Sequence, residues 1–368
     1  MTNRAQPRRR GPLAWLMTLA LAPLLLLPAS DTYAASRPLD DAGGPRLVAA
    51  EFLGSVTRFW AVDAAGPRRR ALLGQAEHAA GWGVKAEASP DGRFIAYIAF
   101  PSTGIEPTAD AELWVLETAT GGLRRLATGI DVMGAPVWSP DSGLVAARRT
   151  SVQDRSRSFE LVAFQPQQPD GPGEALVSAV NLDWLGAVGW TAQGLHYATI
   201  DSAGTVLHAP GAQPLALSRG IARDFALSPD GAQVAYNEAP VASRPVLRPM
   251  LADVPTAAVG ELAAPGGSTL AWRPDGALTL SAPSAAGGGS TLLTLESATG
   301  QWQPLAAQGA PGLFPLRWSP AGRVLAARLL LGPAERPTGE VLAVVGAESS
   351  GVRPLSFAGP ASFAGWLP

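Results

Sequence analysis

Six charged residues have types and positions that could do chemistry together: Lys85 and Glu87, Asp131, Asp183, and Arg223 with Asp224. Carboxylates gathered at one point can hold a cation, grip the hydroxyls of a sugar, or divide into a general acid and a general base. Asp131 stands nine positions before Pro140, and Asp183 stands nine before Ala192. Residues that far apart in the chain meet only if the fold returns to one place at that interval. Other chemistry has weaker support. His78, His196 and His208 share no ligand spacing and the chain has no cysteine, so there is no zinc signal. Gly287-Gly288-Gly289-Ser290 precedes a strand and not a helix, so it is no phosphate loop. No G-x-S-x-G occurs. No cofactor is expected.

The elements that must position these residues come from a repeat. Ser89-Pro90-Asp91-Gly92, Trp138-Ser139-Pro140-Asp141, Ser228-Pro229-Asp230-Gly231, Trp272-Arg273-Pro274-Asp275-Gly276 and Trp318-Ser319-Pro320 are copies of one motif. Trp190-Thr191-Ala192-Gln193-Gly194 is a degenerate copy, and Gly365-Trp366-Leu367-Pro368 is a seventh, cut off at its proline. Successive motif prolines, with Ala192 in the third place, are 37 to 52 residues apart, around the length of a propeller blade. Within the motif Pro sets φ, Asp bonds its own backbone and Gly takes positive φ, so it reads as a hairpin turn between two strands.

After the motif each repeat supplies a second, third and fourth strand, as in Glu112–Leu116 and Leu123–Leu126 after the first. The N-terminus offers three strands without a motif, near 46–52, 57–63 and 69–73. The C-terminus offers one motif strand, 362–367, with nothing after it. Together they make one blade. The expected fold is therefore all-β, a single seven-bladed propeller of four-stranded blades over residues 46–368, closed by pairing of the C-terminal strand with the N-terminal blade. The third repeat, with the shortest spacing, is expected to have tight turns and short outer strands.

On such a ring the six charged residues lie where the chain approaches the innermost strands, around one mouth of the central channel. They are the candidate ligand-binding residues, although a wet channel mouth carries polar side chains in any case. Asp91, Asp141, Asp230 and Asp275 recur once per repeat, as a turn requires and an active site does not. Trp138, Trp190, Trp272, Trp318 and Trp366 recur likewise, and are expected to pack between adjacent blades.

Composition and the N-terminus bound the setting. Gly (41) and Pro (34) break the chain into short segments, and a hydrophobic fraction of 47% provides a core without disulfides. Arg4 and Arg8–Arg10 precede an uncharged apolar run from Leu13 to Pro28, and Thr32-Tyr33-Ala34 offers a cleavage site. Residues 1–35 thus read as a signal peptide, followed by a linker over 36–45, and the protein is expected to be exported; the alternative is that this segment stays as an uncleaved membrane anchor, and no other stable transmembrane domain is expected. Removing 1–35 takes away four Arg and Asp31 and leaves about five more acidic than basic residues. That argues against nucleic acid as a partner.

The motif copies at blade spacing resemble the TolB-like family of propeller repeats from Arg46 to Pro368. The resemblance implies the propeller fold and an exported protein. TolB itself carries an α/β domain ahead of its propeller, and only about ten residues lie between the cleavage region and the first strand here, so its partner role is not carried over. Similar repeats precede the hydrolase domain of prolyl-oligopeptidase-like peptidases. This chain stops at the seventh motif, so peptidase activity is not expected. The function expected is a monomeric, non-catalytic scaffold of the cell envelope, holding a protein or ligand on its loop faces and channel mouth. The alternative is a propeller enzyme of glycosidase or lactonase type that uses the mouth carboxylates.

Overall fold

The structure, a computed structural model, describes residues 44–66, 69–102, 111–153, 156–239, 247–264, 269–284, 289–296, 300–310, 312–332, 336–348 and 351–368. The expected signal peptide and all but the end of the linker lie outside the described residues. The described residues form seven four-stranded antiparallel sheets and no helix. The chain is a seven-bladed β-propeller.

Blade 1 has the order Ala361–Leu367, Arg46–Phe52, Val56–Asp63, Arg70–Glu77, from the inner to the outer strand. The two ends of the chain therefore share a blade, with Arg46 opposite Leu367 and Leu47 opposite Trp366. Its outer strand runs on to Glu77, past the expected 69–73. Blade 2 runs from inner strand Lys85–Ala88 to outer strand Leu123–Ile130, and blade 3 from Val137–Trp138 to Glu174–Val180. Blade 4 runs from Trp184–Thr191 to Leu215–Ser218, and blade 5 from Ile221–Leu227 to Ala258–Glu261. Blade 6 runs from Leu270–Trp272 to Trp302–Ala310, and blade 7 from Gly312–Trp318 to Val352–Pro354. Because each blade is antiparallel, the motif turns and the third-to-fourth-strand turns share one face, here the motif face. The blade-to-blade connections and the second-to-third-strand loops share the opposite one, the loop face.

The motif turn is held by local chemistry. Ser89, Ser139 and Ser228 each donate Oγ–H to the motif Asp at 2.6 Å. The same oxygens accept the N–H of Phe94, Leu144 and Gln233, five residues on. The Asp carboxylate in turn accepts the N–H two residues ahead, at 3.0 Å in the copies of Asp91, Asp141 and Asp230. Hydrogen bonds from the serine and from backbone N–H groups hold the carboxyls of Asp141 and Asp230 below the ordinary range. Gly92, Gly231, Gly276 and Gly322 take positive φ as expected, but in the Asp141 copy Ser142 takes it, at 60°. Ser142 is buried, and its Oγ accepts the N–H of Asp91 in the neighbouring blade at 3.1 Å, which offsets the backbone cost.

The motif tryptophans stitch blade to blade. The indole N–H of Trp138 donates to the carbonyl of Glu87 at 2.8 Å, that of Trp272 to Ala226 at 2.9 Å, and that of Trp366 to Arg317 at 3.2 Å. In each case the acceptor is the residue three before the motif proline of the preceding blade. Trp318 uses Thr279 Oγ1 of the preceding blade instead, at 3.0 Å. Trp138, Trp318 and Trp366 are buried, so each also fills an inter-blade core with its ring.

Blade 4, with the degenerate motif, has two-residue turns at 192–193 and 202–203, and its outer strands have five and four residues. It also holds two of the three histidines. His196 is buried against Thr191 and Gly231, and His208 stacks on Tyr197 with ring centroids 4.6 Å apart. Burial pushes both imidazoles below the ordinary value of 6.5. Such a histidine stays neutral in the fold and takes a proton in the unfolded chain. It therefore stabilises the fold fully above pH 6.5, and that contribution is lost as pH falls through the lowered folded value. Thermal melts should show a lower Tm at pH 5.5 than at pH 7.5, with a smaller drop in a His196→Gln, His208→Gln variant. An identical drop in the variant would contradict this account.

Candidate functional site

The inner strands surround the channel, and the position three before each motif proline forms a ring around it. That ring is Glu87, Val137, Gly189, Ala226, Ala271, Arg317 and Gly365. Five of the seven are small or aliphatic. The other two pair with each other: Arg317 Nη1 bonds Glu87 Oε1, and Nη2 lies 3.3 Å from Oε2. Blade 2 and blade 7 are separated by blade 1, so the pair reaches across the inner strand of blade 1. The Glu87 side chain is 16% exposed and that of Arg317 is 53% exposed, the latter within 5.8 Å of the Phe363 ring. Burial pushes the Glu87 carboxyl up, and Arg317 opposes that shift. The Glu87 charge in turn raises the Arg317 guanidinium. Sequence spacing points to Glu87 but not to Arg317. The signal was available, since both stand three before a motif proline.

In four blades the inner strand carries a register shift beside this ring: between Ala187 and Gly189, Arg223 and Ala226, Pro315 and Arg317, and opposite Val48/Ala49 in the C-terminal strand. An extra residue of this kind bends a strand and re-aims its side chains. In blade 5 it includes Asp224, at φ 56°.

The six expected residues are thus divided among different duties. Lys85 donates to the carbonyl of Met133 at 3.2 Å, in the connection to the next blade. Arg223 and Asp224 lie 3.5 Å apart and are both exposed, and Asp224 also accepts from Asn237 at 3.2 Å. Asp183 is exposed, with its backbone N–H bonded to Ile200. Asp131 serves packing. Its Oδ2 accepts from Thr150 Oγ at 2.6 Å and from Arg148 Nε at 3.1 Å, while Oδ1 accepts the N–H of Met133. Arg148 is 6% exposed, and it reaches into blade 4 to donate to the Leu185 carbonyl at 2.6 Å. Its guanidinium lies over the rings of Phe159 and Trp184. Of the six residues, only Arg223 and Asp224 touch each other through their side chains. Among the described residues, no three His, Asp or Glu side chains gather as a metal ion would require.

A feature without a repeat signature lies on the loop face. The exposed large hydrophobic residues include Trp82 (54%) and Met133 (70%), together with Val152, Val180, Ile221 and Leu331. All six stand in blade-to-blade connections or at strand ends on the loop face. Leu72, Leu123 and Val259 are the exposed ones placed elsewhere among the described residues. Loop-face residues vary from repeat to repeat, so periodicity does not reveal them.

No family model and no curated protein sequence matches the chain. Among solved structures it is similar to oligogalacturonate lyase from Vibrio parahaemolyticus, at 13% identity over 80% of this chain and 84% of that chain, with a TM-score of 0.55. It is similar to a prolyl endopeptidase at 11% identity over 87% of this chain and 50% of that chain, with a TM-score of 0.56. TolB from Acinetobacter baumannii aligns at 14% identity over 88% of this chain and 67% of that chain, with a TM-score of 0.47. Identities this low speak for fold and not for activity. What the chain has in common with these proteins is its architecture: it is a seven-bladed β-propeller.

Proposed function

We propose that the protein is an exported, non-catalytic propeller of the cell envelope that binds a protein or ligand on its loop face. The observation that carries this reading is that six of the nine exposed large apolar side chains among the described residues stand on that face, with a tryptophan among them. Exposed apolar surface marks interaction sites, and Trp is enriched among the residues that dominate binding energy. The carboxylates expected at the channel support the same reading. Glu87 is committed to Arg317, and Asp131 to Arg148, so neither stands free to act as acid or base. The charged, apolar N-terminal segment supports export.

The test compares two variants by cross-linking and capture from envelope extracts. Trp82→Glu, Met133→Glu, Ile221→Glu alters the loop face, and Leu72→Glu, Leu123→Glu alters surfaces elsewhere. All five positions are exposed, so both variants should keep the Tm of the unaltered protein. The loop-face variant should lose its captured partner at least about tenfold, and the other should not. Equal capture by both would refute the reading. Export is checked on the same preparations by mass spectrometry of the N-terminus. A native start near residue 35 is expected, and an intact Met1 on a soluble cytoplasmic form would refute it.

A further inference from the structure

A cleft of about 290 Å³ opens on the loop face where blades 7, 1 and 2 meet. Phe52, Trp82 and Val84 form its apolar walls, and Ser362 and Glu340 are its polar contributors toward blade 7. The volume lies at the small end of ligand pockets, enough for a single large side chain. The aromatic walls are braced from behind. Trp82 packs edge to face on buried Phe100 with centroids 4.9 Å apart, and Phe52 stacks on buried His78 at 5.7 Å. Trp82 still exposes half its surface, so a rigid aromatic surface faces the solvent.

Among the described residues that line the cleft, Glu340 is the one that carries a charge. Glu51, adjacent to Phe52 in the same strand, is 2% exposed. Its carboxylate is held by neutral donors: the Trp60 indole at 2.8 Å and the backbone N–H groups of Ala358 at 2.6 Å and Gly359 at 3.2 Å. Arg58 stands opposite Glu51 in the adjacent strand, and the Glu51 carboxyl lies behind the wall rather than in the cleft. The cation beside Glu340 is Arg328, at 3.6 Å with both side chains substantially exposed. Such a pair is weak and easily exchanged, and the Arg328 guanidinium also rests over Phe314 at 5.0 Å.

We propose that this cleft is the seat for one cationic side chain, an arginine or lysine, of the partner bound on the loop face. The proposal rests on the loop-face reading above. A guanidinium or ammonium on an apolar stem matches each part of the cleft: the stem lies along Phe52 and Val84, and the charge meets Glu340 and the face of Trp82. An anion would meet the Glu340 carboxylate. A sugar needs several donors and acceptors around its ring, and the cleft offers it few.

The test is a titration followed by 19F NMR on protein labelled with 5-fluorotryptophan, with the Trp82 resonance assigned from Trp82→Phe. The probes are N-acetyl-arginine methylamide, its neutral isostere N-acetyl-citrulline methylamide, and methyl glucoside. The arginine probe should shift the Trp82 resonance saturably, with half-saturation at least about tenfold lower than for the citrulline probe. Glu340→Gln should raise that half-saturation about three- to tenfold, and 0.5 M salt should weaken binding in the same direction. Equal response to arginine and citrulline, no response to either, or a stronger response to the glucoside would overturn the proposal. The two readings fail separately. If the loop-face variant loses capture but arginine does not bind, the cationic occupant falls and the binding face stands. If capture survives the loop-face variant, the binding face falls first.

Discussion

Deleting Ala361–Pro368 should abolish cooperative unfolding of the whole propeller, not fray one blade. This strand is the inner strand of blade 1, and it pairs along its length with Arg46–Glu51. Trp366 and Ala364 are buried in two different inter-blade cores, Trp366 toward blade 7 and Ala364 toward blade 2. The Trp366 indole bonds Arg317 in blade 7, while an added Cβ on Gly365 would press on Ala88 in blade 2. Removing one buried Trp alone costs about 3–5 kcal/mol. The strand contributes that, the burial of Leu367, and a ladder of hydrogen bonds, against a total stability of about 5–15 kcal/mol for a typical domain. It also leaves Arg46–Phe52 as an open, apolar edge. Circular dichroism melts should show no sigmoidal transition for the truncated chain, with dye binding to exposed apolar surface at ambient temperature. Trp366→Phe, which keeps most of the ring burial, should cost far less and unfold cooperatively. A truncated chain that melts at the temperature of the full one would disprove closure by this strand.

Arg148→Met should be the most damaging single substitution of a charged residue, at about 3–5 kcal/mol. Burial pulls the Arg148 guanidinium below its ordinary value, and Asp131 opposes that shift. Met keeps the length of the side chain and loses the charge. Asp131, whose side chain is only 14% exposed, is then left without its cation, and the Leu185 carbonyl without its donor. Because Arg148 spans blades 3 and 4, the loss loosens the joint beside the blade with the degenerate motif. Urea titrations should show a lower midpoint with an unchanged slope. Asp131→Asn in the Arg148→Met background should recover part of the loss, because it removes the stranded charge. If Arg148→Met shifts stability by less than about 1 kcal/mol, the joint is not held by this pair.

The amino-acid sequence by itself determined the fold, the number of blades and the way the ring closes. The reason is locality. A Ser-Pro-Asp-Gly turn is held by bonds among residues within five positions, from the Ser89 hydroxyl to the Phe94 N–H, so each full copy announces a hairpin wherever it lies, and seven copies, one degenerate and one cut off at its proline, announce seven blades. Complementary ends follow from counting strands. The tryptophan offset was legible too, because the indoles of Trp138, Trp272 and Trp366 bond the same backbone position of the preceding blade. The tertiary structure decided what depends on which blades become neighbours and which side chains face each other. Glu87 and Arg317 are 230 residues apart, and they meet only because the ring closes. Asp131 has the offset of a mouth carboxylate, yet buried Arg148 and Thr150 draw it into a joint between blades. Ser142 takes a conformation expected of glycine because a partner for its hydroxyl stands in the adjacent blade. The loop face has no repeat to read. Trp82, Phe52 and Glu340 come from a connection and from two strands in two blades, and only the closed ring sets them around one cleft.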